Sequence, residues 1–147
     1  MAILRSGRPQ DLDPITLYRV LQLRVDVFVV EQECPYPELD GRDLEPDSIW
    51  VWAEQGDKIV ATLRILKDPD GRIRIGRVAT AKQARADGIA SKLMQHALAL
   101  IGDTEPVLDA QSQLEGWYQR FGFLRSGPEF IEDGISHIPM TRRRAHS

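Results

Sequence analysis

Residues 83–90 of the chain are Gln-Ala-Arg-Ala-Asp-Gly-Ile-Ala, and the interpretation of the whole sequence depends on them. Small side chains here leave backbone N–H groups accessible just before an expected helix. Such groups, aided by the helix dipole, can bind a pyrophosphate without many charged side chains. Arg85 would add a charge-assisted contact. The same composition also fits an ordinary strand-to-helix turn, so the stretch alone leaves both interpretations open.

The segments on either side of this stretch have clear patterns. Downstream, apolar residues recur at helical spacing and predict an amphipathic helix that ends at Gly102: Ile89, Leu93, Met94, Ala97, Leu98 and Ile101. Upstream, residues 72–80 predict a strand in which the apolar alternation changes phase after Ile75. Gly76 lies at that change, which indicates a β-bulge near it.

The remaining segments complete an α/β pattern. Asp13 can cap a helix over residues 13–28, with Pro14 at its first position. Further strands are predicted at 49–53, 59–66, 106–110, 123–125 and 135–140, and a second amphipathic helix at 114–121. We therefore expect one domain over residues 1–147, with a mixed, mostly antiparallel central sheet and helices on both faces.

Composition excludes several classes of protein. The 22 acidic and 19 basic residues create no positive field for nucleic acid or anionic membrane. Apolar runs such as residues 27–30 are too short to span a bilayer, and the first eight residues lack a signal peptide's apolar stretch, so a cytoplasmic location is expected. One cysteine, Cys34, and three scattered histidines predict neither an internal disulfide nor a metal site.

Two motifs in order give the chain its resemblance to a known family. Residues 85–90 match the pattern Gln/Arg-x-x-Gly-x-Gly/Ala, and residues 111–123 resemble Asn-x-x-Ala-x-x-Phe-Tyr-x-x-x-Gly-Phe. The sequence thus resembles the GNAT acetyltransferase superfamily. Residues 23–36, with Asp40-Gly41 after them, residues 75–78 and residues 132–140 are similar to its ElaA-like branch.

The resemblance implies the GNAT acyl-CoA N-acyltransferase fold and acetyl-CoA as cosubstrate, without a metal. The strand ending at Thr80 would pair with the pantetheine arm, and the N–H of Val78 or Ala79 would stabilise the oxyanion. The implied coenzyme-binding residues are Val78, Ala79, Thr80, Arg85, Ala86, Asp87, Gly88, Ile89, Ala90, Ser91 and Gln111. Gln111 and Leu114 depart from the family's Asn and Ala, which puts the coenzyme contacts of that helix in question.

Tyr118 matches the family tyrosine near the coenzyme sulfur, so the resemblance implies that it protonates the departing thiolate. Without the family, a core aromatic beside Trp117 and Phe121 is the simpler interpretation.

An amine acceptor must lose a proton before it attacks. The candidate bases are Glu31, Asp40, Asp43, Glu54, Asp109 and His137. Glu31 is preferred because the resemblance places it where GNAT proteins build the acceptor wall, and His137 is the second choice, with a partly buried, hydrogen-bonded histidine as its alternative. Arg24, Phe28, Asp40 and His137 are candidate acceptor-site residues. The acidic stretch 31–47 would attract a cationic amine, although it also fits a solvated loop.

Other functions are retained as alternatives. Arg24 and Phe28 followed by aspartates resemble acyl-homoserine lactone synthases, although this chain is short for that role, and a non-catalytic coenzyme A sensor is also possible. Cys34 lacks a nucleophile signature, and the basic residues 142–144 fit a solvated terminus. The expected partner is a small-molecule or peptide amine, with the protein a monomer or homodimer that binds neither nucleic acid nor membrane.

Overall fold

The structure, a computed structural model, describes residues 2–144. Its strands are β1 (Ile3–Gly7), β2 (Ile49–Gln55), β3 (Lys58–Lys67), β4 (Ile73–Thr80), β5 (Val107–Gln111), β6 (Phe123–Arg125), β7 (Phe130–Glu132) and β8 (Ile135–Arg142). Its α-helices are α1 (Pro14–Val25), α2 (Ile89–Ile101) and α3 (Glu115–Gln119). Shorter 3-10 helices lie at Pro9–Asp11, Arg42–Leu44, Lys82–Asp87 and Ser112–Leu114. The strands form one mixed sheet in the order β1-β2-β3-β4-β5-β8-β6, with β7 also paired to β8.

Helix α1 begins as its sequence predicts. The Asp13 side chain accepts a hydrogen bond from the Thr16 backbone N–H at 2.9 Å, and Pro14 occupies the first turn. After Val25 the chain continues as a π-helix over Asp26–Glu31, three residues beyond the predicted end at Phe28. Since π-helical turns are rare and often lie at functional sites, this extension makes residues 26–31 a candidate functional segment.

Both faces of the central strands are covered. Residues 60–66 of β3 are all buried, which is typical of a strand with a layer on each side. Trp50 and Trp52 of β2 pack with Val20 of α1. The alternate residues Val51 and Ala53 belong to the larger core, which contains Leu93, Met94 and Ala97 of α2. This arrangement confirms the predicted fold class.

The sheet divides at β4 and β5. These parallel strands pair through a single register pair, Arg74 with Val107, so the rest of β4 separates from β5. The predicted bulge is present in β4, because Leu63 of β3 lies opposite both Arg77 and Val78. Its left-handed residue, however, is Arg77 with φ +51°, whereas Gly76 has no positive φ.

Three features differ from the sequence-based expectation. Strands β1 and β7 were not predicted, and α3 is shorter than the predicted helix 114–121 because a 3-10 turn precedes it. Arg142 is part of β8 and donates to the Phe121 carbonyl at 2.8 Å, so it does not belong to a solvated terminus. Within residues 2–144, no helix has the length and apolarity that crossing a membrane requires.

Candidate active site

A cleft of about 310 Å³ opens where β4 and β5 separate. Ile75, Gly76, Arg77 and Val78 line it from β4, and Leu108, Asp109 and Gln111 line it from β5. The π-helix and the following loop add Phe28, Gln32, Cys34, Tyr36, Pro37 and Asp40, α3 adds Tyr118, and the β7–β8 hairpin adds Glu132, Asp133, Ile135 and His137. The cleft therefore brings together residues from every motif except the turn before α2.

The turn before α2 has the form that an anion site needs. A 3-10 helix over Lys82–Asp87 is followed by Gly88 with φ +71°, and no side chain caps the start of α2. Residues 85–88 are exposed and Ile89 is buried in the core, while Ala90 and Ser91 are partly exposed. Backbone N–H groups of the first helical turn are consequently left without a side-chain partner.

Arg85 and Glu31 form an ion pair. Both guanidinium terminal nitrogens lie 2.6 Å from the two Glu31 carboxylate oxygens, and the Arg85 Nε donates to the Thr80 carbonyl at 3.1 Å. The hydrogen bonds from Arg85 hold the pKa of Glu31 below its ordinary value. Such a carboxylate is a poor base, and Glu31 is absent from the cleft lining, so the geometry does not support Glu31 as the general base.

Tyr118 is both a core aromatic and a cleft residue. Its ring packs edge-to-face on Trp117 at 4.9 Å and on Phe123 at 6.2 Å. Only 6% of the residue is exposed. Burial raises the pKa of the phenol well above its ordinary value, which keeps the O–H protonated at neutral pH. Tyr118 can therefore donate a hydrogen bond into the cleft.

His137 has an orientation suited to a base. Its Nδ1 lies 2.8 Å from the Ile135 carbonyl oxygen, and its ring stacks on Phe130 at 5.6 Å. Because a carbonyl oxygen only accepts, Nδ1 carries the proton, and in the neutral ring Nε2 is left as an acceptor. The Nδ1 hydrogen bond agrees with the predicted alternative of a hydrogen-bonded histidine. Because His137 also lines the cleft, its Nε2 could still accept a proton there.

Three arginines neutralise the acidic stretch. Arg24 donates to Glu38 at 2.7 Å and to Asp43 at 2.9 and 3.0 Å, and Arg64 donates to Asp40 at 2.9 and 2.6 Å. Partial burial raises the pKa of Asp40, but Arg64, then the Arg42 backbone N–H and then Arg77 hold this pKa well below its usual range. The attraction of this stretch for a cationic acceptor is correspondingly weakened.

Several candidates are thus removed from acceptor chemistry by their partners. Arg24 is 1% exposed and each of its three guanidinium nitrogens already donates to Glu38 or Asp43, so it is not accessible to an acceptor. Asp43 is buried in the same network, and Asp109 accepts from Arg74 at 3.0 Å. Glu54 lies on β2 outside the cleft, where hydrogen bonds from Trp52 and then Arg5 lower its pKa. Phe28 does line the cleft.

Several residues that line the cleft were not among the predicted site residues, including Gln32, Cys34, Tyr36 and Arg77. Gln32 approaches Gln111 across the cleft, with the Gln111 Nε2 3.4 Å from its Oε1. Cys34 donates to the Asp133 carbonyl at 3.4 Å. Tyr36 and Arg77 are adjacent, with the guanidinium 5.5 Å from the ring centre. The phase change of the apolar alternation at Gly76 indicated a bulge in β4. The residue with a positive φ in that bulge is Arg77, one position further along the chain.

Across residues 2–144, no three His, Cys, Asp or Glu side chains are grouped as metal ligands would be.

The mixed sheet, with its cleft between the separated strands β4 and β5, agrees with the GNAT acyl-CoA N-acyltransferase fold. A family model described as "Acetyltransferase (GNAT) domain" matches residues 22–144. The chain belongs to this family.

Close relatives specify the branch. Protein ElaA of Escherichia coli K12 is 40% identical over 138 residues, covering 90% of each chain. A UPF0039 protein of Mycobacterium tuberculosis H37Rv is 47% identical over 143 residues, covering 95% of this chain and 92% of its own. These similarities assign the chain to the ElaA-like branch.

Solved structures agree with this assignment. The crystal structure of E. coli ElaA matches with a TM-score of 0.91 and 37% identity, covering 97% of this chain and 100% of that one. An acyl-CoA N-acyltransferase from Pseudomonas aeruginosa matches with a TM-score of 0.88 and 40% identity, covering 97% and 99%.

Proposed function

We propose that this protein transfers an acetyl group from acetyl-coenzyme A to an amine of a small molecule or peptide. The observation that carries the proposal is the separation of β4 from β5 after the Arg74–Val107 pair, with Tyr118 buried beside the resulting cleft. A free strand edge in a cleft can pair with an extended ligand arm as with another strand. The family match supports acyl transfer in general.

The residues fit this cosubstrate. The uncapped first turn of α2, with Gly88, Ala90 and Ser91, would hold the diphosphate through backbone N–H groups. Gly88 has φ +71°, which favours glycine at that position. Arg85 would contact the diphosphate once it leaves Glu31. The free edge of β4 at Val78 and beyond would face the pantetheine arm.

The cosubstrate supplies an activated thioester carbonyl. In the reaction, the amine nitrogen bonds to that carbonyl carbon and the carbon–sulfur bond breaks. The Val78 or Ala79 N–H stabilises the oxyanion. His137 Nε2 accepts the amine proton, and Tyr118 donates a hydrogen bond that stabilises the negative charge on the departing sulfur. Burial keeps the phenol protonated, so the thiolate takes its proton from solvent.

The test compares thiol release from acetyl-coenzyme A across polyamines, amino acids, aminoglycosides and peptides. Tyr118→Phe is expected to lower kcat at least tenfold, about 1.4 kcal/mol of barrier. Tyr18→Phe is the matched control, because Tyr18 is 69% exposed on α1. His137→Gln should also lower kcat, because it removes Nε2 as the acceptor of the amine proton.

The outcomes separate the alternatives. Coenzyme binding without transfer to any amine would support the sensor and contradict the enzyme. Transfer to S-adenosylmethionine alone would favour a lactone-synthase-like reaction. Equal rates for the parent and Tyr118→Phe would remove Tyr118 from the mechanism.

A further inference from the structure

The bulge in β4 is centred on a residue type for which the observed backbone conformation is unfavourable. Arg77 has φ +51°, a left-handed value that a residue with a Cβ rarely adopts. The preceding residue, Gly76, would adopt it without a steric cost, yet the bulge is centred on the arginine. Something other than intrinsic preference must therefore hold Arg77 in place.

The Arg77 side chain reaches the loop that forms the opposite wall of the cleft. Its Nη2 donates to the Glu38 carbonyl at 3.1 Å and to Asp40 Oδ2 at 3.3 Å. Its Nε lies 3.0 Å from Glu38 Oε2, although not aligned for a hydrogen bond. The guanidinium also lies 5.5 Å from the centre of the Tyr36 ring, a cation–π distance.

The residues that Arg77 contacts are themselves held by hydrogen bonds from other elements. Glu38, whose side chain is 3% exposed, accepts from Arg24 of α1 at 2.7 Å. Asp40 accepts two hydrogen bonds from Arg64 of β3. The Tyr36 hydroxyl donates to the other Glu38 carboxylate oxygen. Arg77 is thus tied to a loop that is anchored on both α1 and β3, so its contacts can hold a backbone conformation.

We propose that Arg77 is a positioning residue: through Tyr36, Glu38 and Asp40 it holds the bulge so that the backbone of Val78 and Ala79 faces the cleft. The role rests on the proposed acyl transfer, in which that backbone stabilises the oxyanion. In this role Arg77 acts through the backbone and not on a reacting atom. It fixes the direction of the backbone N–H of Val78 or Ala79, and a hydrogen bond from that N–H to the oxyanion would weaken steeply if it were misaligned.

The test uses Arg77→Gly, Arg77→Lys and the control Arg72→Ala in the full chain. Glycine keeps the left-handed backbone accessible while removing every side-chain contact, so it separates the contacts from backbone strain. Arg72 is an exposed arginine before the same strand, paired only with Asp70 at 3.8 Å among the described residues. Three quantities are measured well below each variant's melting temperature: kcat with the best amine, calorimetric affinity for coenzyme A, and the NMR signals of the Val78 and Ala79 amides.

For Arg77→Gly we expect kcat to fall at least tenfold while coenzyme A affinity stays within about threefold, with the Val78 and Ala79 amide signals shifted or broadened. Arg77→Lys should recover part of kcat, and Arg72→Ala should match the parent. A parental kcat in Arg77→Gly overturns the positioning role, and so does a loss that is matched by lost coenzyme affinity. If the parent transfers nothing, the proposed function fails, and the amide signals alone decide: unchanged signals overturn the role, and changed signals support it.

Discussion

At the scale of single residues, Glu31 would compete with the diphosphate of the coenzyme for the Arg85 guanidinium. Two hydrogen bonds of 2.6 Å occupy the guanidinium that the motif assigns to the diphosphate. Glu31→Gln removes the competing charge, so the affinity for coenzyme A should rise by up to roughly fivefold at low salt, the range of an exposed ion pair. Calorimetry at two salt concentrations measures this.

Glu33→Gln is the control for that change, since it removes the same charge two positions away. Because Glu31 is not expected to act as the base, kcat should stay near the parental value. A large loss of kcat with unchanged coenzyme affinity would restore Glu31 as a catalytic residue.

The buried Arg24 has a different role, in stability. It is 1% exposed and pairs with Glu38 and Asp43, so Arg24→Ala leaves two carboxylates without their main cation. Removing one partner of a buried ion pair costs about 3–5 kcal/mol of unfolding free energy. Arg5→Ala breaks the pair with Glu54, in which the Arg5 side chain is 53% exposed, and should cost less than about 1 kcal/mol. Urea unfolding of both variants measures the difference, and equal costs would contradict it.

At the scale of elements, the loop after the π-helix is held by charge rather than by an apolar core. Burial raises the pKa of Asp40, but Arg64, the Arg42 backbone N–H and Arg77 together hold this pKa well below its ordinary value of 3.8. A group with a depressed folded pKa contributes stability above its unfolded pKa and loses it as the pH falls. Its contribution should therefore be complete near neutral pH.

Asp40→Asn tests this dependence on pH. The parent should be more stable than the variant at pH 7, and the gap should narrow as the pH falls from about 5 and close only when the pH is below the lowered pKa of the folded aspartate. Urea unfolding across this range measures the gap. A gap independent of pH would mean that shape, and not charge, stabilises the loop.

The elements predicted from sequence are those with local signals. The Asp13 cap, the apolar spacing of α2 and its end at Gly102 are set by near neighbours, and the structure has each of them. Strand β1 could not be predicted, because its pattern is weak and its pairing partner in β2 lies far along the chain.

The ion pairs of the candidate site could not be predicted, because their partners lie far apart in the sequence. Arg85 meets Glu31 across 54 positions and Arg64 meets Asp40 across 24. The sequence contains no local signal for pairs so far apart, so it could not show that arginines hold Glu31 and Asp40. Tyr118 and the turn at 85–90 were found because a family motif marks them, and their roles stay predictions.

At the scale of the whole molecule, the sheet consists of two parts joined at one point. Strands β1 to β4 form an antiparallel part, β5 to β8 form another, and the Arg74–Val107 pair is their backbone link in the sheet. The core also joins them, since Tyr118 and Phe123 pack in one cluster with Val51 and Leu93. A ligand lying along the free edge of β4 would contact both parts.

Such a ligand should stabilise the fold as a whole. Coenzyme A at 100 times its dissociation constant would add about 2.7 kcal/mol to the unfolding free energy. For a domain of this size, that corresponds to a rise in Tm of roughly 5–11 °C. Calorimetric melting with and without coenzyme A measures it. Ala90→Phe should keep the ligand-free Tm within a few degrees, since Ala90 is partly exposed, and should lose the ligand-induced rise because the ring blocks the start of α2. A parent whose Tm does not respond to coenzyme A would contradict binding at the cleft, and an unchanged rise in Ala90→Phe would place the diphosphate away from the turn at 85–90.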